Sequence, residues 1–563
     1  MKRLSQLKKR IDAAQGRIPC DVILKNGFYL DVFSCEWRPG EIAIIDGTIV
    51  ALESGLKAKQ TIDLKGKWIV PGFIDAHVHV ESSMMTPRYF QDAVLPCGTT
   101  TAMCDPHELA NVLGISGIQY FLKNSELLDL DLWVMMSSCV PATSMETNGG
   151  GEIQSQELVE LATHSRALGL AEMMNVPGLL HADPSVLSKI EAFLGRPMDG
   201  HCPLVRGKDL STCAVAGISS CHESSELDEA QEKLVKGIAV WIREGSVAKD
   251  LRRLAPLLTL ATSSSLGFCT DDRNPLDISL EGHIDHLVRS SIRYGVDAEV
   301  AYRTASWSVA RHYGLDQRWN RVGAVAPGWQ ADLIILEDAQ SCSISKVLKK
   351  GNWAHELESA SEFKMEVENS IRAVIPEDID LVAPSGMAHV IGLIEGKIIT
   401  HHFIKPSDSI GVARLSVLER YGKGTKPSNA YVEGFGPDLR GAIASSVGHD
   451  SHNLIVVGQK TSDMRVALAA LSQMGGGFCV VRDGGVLAQL ELPIGGLMSD
   501  RDADKLKTSL LKLKEASQSI GCILSEPFLH LAFLSLPVIP SLKLTDKGLV
   551  DVDEFRIIPI LAS

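Results

Sequence analysis

Apolar and polar positions alternate in short runs from 21 to 70: "DVILKNGFYLDVF", "EIAIIDGTIVALE", "TIDLKGKWIV". A period of two predicts strands, and the "NG" and "DG" pairs predict hairpin turns between them. A similar segment returns at 322–338, "VGAVAPGWQADLIILED". Two β-rich pieces flanking a long central stretch predict one small β-sandwich domain, closed by both ends of an insertion.

Within the insertion, apolar runs of strand length alternate with amphipathic helical segments. The strand candidates are "WIVPGFIDAHV", "GTTTAMCD", "DLWVMMSSCV", "LGLAEMM", "PMDGHC", "GISSCHE", "IAVWIREGS" and "LGFCTDD". Helices are predicted at "SELDEAQEKLVKG" and "VAKDLRRLAPLL". Eight such units over roughly 250 residues predict an α/β chain built on a (β/α)8 TIM-type barrel. A doubly wound open sheet is the main rival, and no G-x-G-x-x-G turn supports it. After about 365 the rhythm changes to strand-rich stretches ("GMAHVIGLIEGKIITHHFI", "NLIVVG", "GGGFCVVRDGGVLAQLEL") and one strong helix, "DADKLKTSLLKLKEASQSIG". The expected division is 1–70, an N-terminal helix and part of the sandwich; 71–320, the barrel; 321–364, sandwich completion and linker; and 365–563, a C-terminal α+β domain.

Charge narrows the function classes. A net charge of -14 argues against a nucleic-acid or anionic-membrane binder, whereas a free nucleobase, carrying no phosphate, stays compatible. The twelve cysteines form no C-x-x-C pair, and "MKRLSQLKKRIDAAQGR" is a basic amphipathic helix without a signal peptide's apolar centre. No run approaches the roughly 18 apolar residues of a membrane span. The expectation is a cytoplasmic protein with reduced thiols.

Six residues stand where barrel strands end: His77, His79, Glu172, His201, His222 and Asp271. Barrel active sites are built at that face. His77 and His79, two apart on a strand, point the same way and can bind one ion. A carboxylate at Glu172 can bridge two cations. A lone strand-end histidine or acid is usually structural; six at strands one, one, four, five, six and eight predict a metal centre. Imidazole and carboxylate donors without thiolates suit Zn, Fe or Mn.

The stretches "PGFIDAHVHVESSMMTP", "CDPHELANVLG", "GLAEMMNVPG", "GFCTDDRNPLD" and, far downstream, "GAIASSVGHDSHNLIVVG" and "LPIGGLMSD" resemble the adenine deaminase family of the amidohydrolases. The likeness runs from about residue 20 to the end. A glutamate at 172, where many amidohydrolases carry a carboxylated lysine, fits it; Cys221, where Asp is expected, departs from it.

The resemblance implies an aminohydrolase that converts adenine and water to hypoxanthine and ammonia in purine salvage. It also implies two divalent ions, Mn or Fe ahead of Zn, and a homodimer. Asp271 is the candidate for moving the proton of the attacking water, and Glu223 for the acid toward the ring. His107 and Asp272 are candidate substrate contacts. Glu108, Glu81, Ser82, Arg243, Glu244, His449 and His452 are weaker candidates for the same face. A cyclic-amide hydrolase, or a deaminase of another purine or pyrimidine, is the alternative on this barrel. A zinc deaminase of the H-x-E type is excluded by the lack of P-C-x-x-C.

Overall fold

The computed structural model describes residues 2–365, 369–424 and 426–562. Its centre is a barrel of eight parallel strands in sequential order: β1 (Phe73–Val78), β2 (Thr99–Cys104), β3 (Asp131–Met136), β4 (Ala167–Met173), β5 (Met198–Gly200), β6 (Ser220–Cys221), β7 (Ala239–Arg243) and β8 (Leu266–Cys269). All eight predicted strands are present. Each is buried on both faces, which is why they read as apolar runs rather than alternations. Ile74, Ala76, Met103, Met135, Leu168, Ala171, Trp241 and Cys269 pack together as one apolar cluster.

The barrel closes where chemistry is needed. The Asp271 N–H donates to the His77 carbonyl (3.0 Å) and the His79 N–H to the Asp271 carbonyl (3.1 Å). Below them the Asp75 carboxylate accepts from the Thr270 N–H (3.1 Å) and hydroxyl (2.5 Å), stapling β1 to the chain leaving β8.

Two expectations about the barrel change. The helix at "VAKDLRRLAPLL" shrinks to Leu251–Leu254 with a short 3-10 turn, because Pro256 supplies no backbone N–H. The segment "WIVPGFIDAHV" is two strands: Trp68–Pro71 pairs with Leu333–Asp338 outside the barrel, and β1 starts after Gly72. A Cβ on Gly72 would meet the Thr100 hydroxyl at 2.2 Å, so only glycine lets the chain cross there.

Strands from both flanks of the barrel form a single eight-stranded sheet. "DG" at 46–47 joins Glu36–Ile45 to Thr48–Ala51, as predicted. "NG" at 26–27 is no hairpin: it is a bulge inside Cys20–Asp31. There the strand changes parallel partner, from Ala58–Asp63 to Trp68–Pro71. A Cβ at Gly27 would stand 2.9 Å from Leu64 Cδ1 and 3.0 Å from the Lys67 carbonyl, so glycine eases the close approach there.

The C-terminal region is α+β, with an eight-stranded sheet, a three-stranded sheet and the helices Thr461–Met474, Ala503–Ser519 and Pro527–Ala532. It sits against the loops at the barrel mouth. The Ser499 N–H donates to Met84 O (2.8 Å) and the Asn453 amide to Thr147 O (2.8 Å). One apolar cluster runs from Val78, Val112 and Leu132 into Ile391, Leu415 and Phe478. Among the described residues, no helix is long and apolar enough to cross a membrane.

Candidate metal centre

The structure brings all six strand-end residues together, each buried. Glu172 is the hub. Its Oε1 lies 3.6 Å from His77 Nε2 and 3.2 Å from His79 Nε2, while Oε2 lies 2.7 Å from His201 Nδ1 and 3.2 Å from His222 Nε2. Asp271 Oδ1 faces the same two histidines at 3.5 and 3.2 Å. The pairing of β1 with β2 is irregular between Asp75 and Val78, the stretch that carries His77.

His77 Nε2 and His79 Nε2 are only 3.1 Å apart and share the same two carboxylate oxygens. One proton can lie between two such nitrogens, whereas a cation satisfies both lone pairs and both oxygens. The donor set therefore fits divalent metal, and the His79 ring is fixed for it by Nδ1, which bonds the Asp105 carbonyl (2.9 Å). Electrostatics agree. Burial opposes charge on Glu172, but His222 and His201 outweigh it and hold the carboxyl well below its usual range. Burial likewise opposes charge on His77, and Asp271 and Glu172 overcome it, raising the ring to about 10.

Beside this cluster lies a clamp that sequence reading undervalued. Arg243, fully buried at the end of β7, meets both oxygens of Glu223, Oδ2 of Asp271 (3.0 Å) and Oδ2 of Asp250 (3.2 Å). Glu223 is consequently held below the ordinary carboxylate range: burial raises it, and Arg243, His201 and His222 more than compensate. Glu223, the candidate acid toward the ring, thus has both its oxygens held by Arg243. Arg243 spends its donors on three acids rather than on a purine edge. Glu244 accepts from the Leu251 N–H (3.1 Å) and caps that helix instead.

His107 directs Nδ1 at Asp105 (3.0 Å) and turns Nε2 to Glu108 (3.4 Å) and Asp450 (3.5 Å). Asp272 accepts the Ser82 hydroxyl and lies 3.9 Å from His449. Glu81 accepts from the Leu109 N–H (3.1 Å) and so caps the helix His107–Leu113 that carries His107 and Glu108. Cys221 turns its thiol to the Cys202 N–H (3.4 Å) and the Glu223 carbonyl (3.7 Å), not to the ligands.

The C-terminal region covers the centre. Ile398, His449, Asp450, Phe533 and Leu536 join the barrel residues around a cavity of ≈ 20 Å³, and His449 stacks on Phe533 at 4.5 Å. These contacts join residues far apart in sequence, and only the "HDSH" motif hinted at them.

Residues 68–354 match the Amidohydrolase family, and residues 395–556 match the Adenine deaminase C-terminal domain. An adenine deaminase of Cereibacter sphaeroides is 46% identical over 98% of this chain and 99% of its own length. One from Brucella suis is 45% identical over 98% and 97%. Adenine deaminase 1 of Agrobacterium fabrum is 43% identical over 98% of each. Matched in both regions and along nearly its whole length, the chain belongs to the adenine deaminase family, within the amidohydrolases.

Proposed function

We propose that this protein hydrolyses adenine to hypoxanthine and ammonia, with His77, His79, Glu172, His201, His222 and Asp271 as ligands of two divalent cations. The observation that carries the chemistry is Glu172, whose two oxygens are divided between two sets of histidines. The full-length relatives named adenine deaminase carry the substrate. Bound there, divalent cations acidify water and polarise the reacting centre. Mn or Fe follows from the family resemblance, while the donors also accept Zn.

The chain's own residues manage protons. In the overall change water oxygen bonds to C6, the C6–N bond breaks, one water proton leaves with ammonia and the other ends on the ring nitrogen. Asp271, oriented through Oδ2 by Arg243, takes the proton destined for the departing amine. Glu223, kept as a carboxylate by the same arginine, accepts a proton before passing it to the ring. Met174, Ile398, Phe533 and Leu536 supply the apolar walls for the base, and Asp272 an acceptor for its edge. A cavity of ≈ 20 Å³ has room for about one water, so the C-terminal walls move aside to admit a purine. A cytoplasmic homodimer completes the reading.

Ammonia release from a panel of adenine, adenosine, guanine, cytosine and dihydroorotate, using protein expressed with Mn²⁺ or Fe²⁺, tests it. Adenine is expected to exceed the others by orders of magnitude. Ring opening of the dihydropyrimidine without ammonia would overturn the assignment in favour of a cyclic-amide hydrolase.

A further inference from the structure

We propose that His107, Glu108, His449 and Asp450 bind a third divalent transition-metal ion, which clasps the C-terminal domain onto the barrel mouth. None of the four is among the six ligands at the strand ends. Two come from the start of the helix His107–Leu113 that follows β2 and two from the segment between Ala442–Ser445 and Leu454–Gly458.

The donor atoms converge. His107 Nε2 lies 3.4 Å from Glu108 Oε1 and 3.5 Å from Asp450 Oδ1, and His449 Nδ1 touches Glu108 Oε1 and lies 3.7 Å from Asp450 Oδ1. Ligands about 2.0–2.2 Å from a tetrahedral ion stand roughly 3.3–3.6 Å from one another, the spacing seen for the two His107 contacts.

His107 Nε2 is buried without a hydrogen-bond partner, and the Glu108 oxygens face the ring nitrogens of His107, His449 and His452. His107 Nδ1 stands 3.0 Å from Asp105, and Nε2 on the other side of the ring faces two carboxylate oxygens, those of Glu108 and Asp450. Two buried carboxylate oxygens converging on one nitrogen require positive charge at that point, and a divalent ion supplies it at ligand spacing.

The surroundings are built for ligation. An Asp–His pair such as Asp105–His107 orients and strengthens a metal-binding imidazole. The Gly448 N–H donates to His452 Nδ1 (3.3 Å), so His452 Nε2 carries its proton toward Glu108 Oε2. Glu108 is thereby turned to present Oε1. Two carboxylates and two neutral imidazoles balance one doubly charged ion, and nitrogen–oxygen donors of this kind take Zn²⁺ readily. Glu172 Oε1 stands 3.4 Å from His107 Nδ1, so the clasp adjoins the centre it covers.

Metal-depleted full-length protein is reloaded with Zn²⁺ alone, gel-filtered, and its zinc counted per chain by mass spectrometry. Wild type is expected to hold three ions, and Asp450→Asn and Asp450→Asn/His449→Gln two. The total of three rests on the two barrel cations; the loss of one in Asp450→Asn does not. A His77→Gln/His79→Gln protein should still lose an ion when Asp450→Asn is added, which separates a failure of the clasp from a failure of the barrel assignment. Equal zinc in wild type and both clasp variants overturns the proposal. If those variants do not fold, Co²⁺-loaded wild type decides: three ions per chain support the clasp, and two overturn it.

Discussion

Arg243 Nη1 stands 3.0 Å from Asp271 Oδ2, a buried cation on the residue assigned the proton transfer. Burial alone would raise Asp271; contacts with His77 and His79 and the charges of His222 and Arg243 hold it well below the usual range. Removing the cation raises that proton affinity, and the active form is the carboxylate. Arg243→Lys, which cannot grip three acids at once, is therefore expected to shift the acid limb of the kcat profile to higher pH. Arg243→Met leaves buried carboxylates unpaired and should cost about 3–5 kcal/mol of stability. Rate profiles against pH and urea unfolding check the two variants.

Asp271→Asn keeps the shape of the side chain and one ligand oxygen. Metal content should stay close to wild type while kcat falls by about 10²- to 10⁴-fold, the usual worth of a positioned acid–base group. Elemental analysis beside steady-state ammonia release reads both. Near-normal turnover would remove Asp271 from the proton path.

Glu81 was open in the sequence and has a specific partner in the structure, the Leu109 N–H. Glu81→Ala strands that buried donor and should cost about 1–3 kcal/mol. Glu81→Gln keeps an acceptor and should lose much less. Urea denaturation of both variants tests this, and a larger loss in Gln than in Ala would contradict the capping role.

Lys543 is buried and donates to the carbonyls of Ile398 (2.8 Å) and Phe533 (2.9 Å), two walls of the catalytic cavity. Burial pulls its ammonium down to about 7, against about 10.4 in an unfolded chain. Between those values the unfolded chain binds more protons, so this residue's contribution to stability rises with pH across about 7 to 10, by up to about 1.4 kcal/mol per unit. Below about 7 both forms are protonated and the slope vanishes. The stability difference between wild type and Lys543→Met, measured at pH 7, 8 and 9, should change in favour of wild type as pH rises. A flat difference would show that Lys543 is not desolvated.

The barrel was legible because its strands follow one another in order and its polar residues fall only at their ends. Leu168 and Ala171 read as core, and Glu172 beside them reads as chemistry, without any distant contact. What escaped the sequence depends on geometry between segments. The irregular pairing beside His77 needs a neighbouring strand, and the bulge at Asn26–Gly27 needs two. Arg243 reads as one more strand-end cation until Glu223, Asp250 and Asp271 converge on it. The cover over the centre is the extreme case, since Ile398, His449 and Phe533 show nothing locally of where they dock.

That cover has a temporal meaning. Every barrel ligand lies between His77 and Asp271, whereas the groups that enclose the centre begin at Ile398. Synthesis runs from the N-terminus and domains fold as units, so the barrel emerges from the ribosome with its mouth uncovered. The order of the chain therefore separates assembly of the donor set from its enclosure: all six candidate donors are made before the first C-terminal group that covers them.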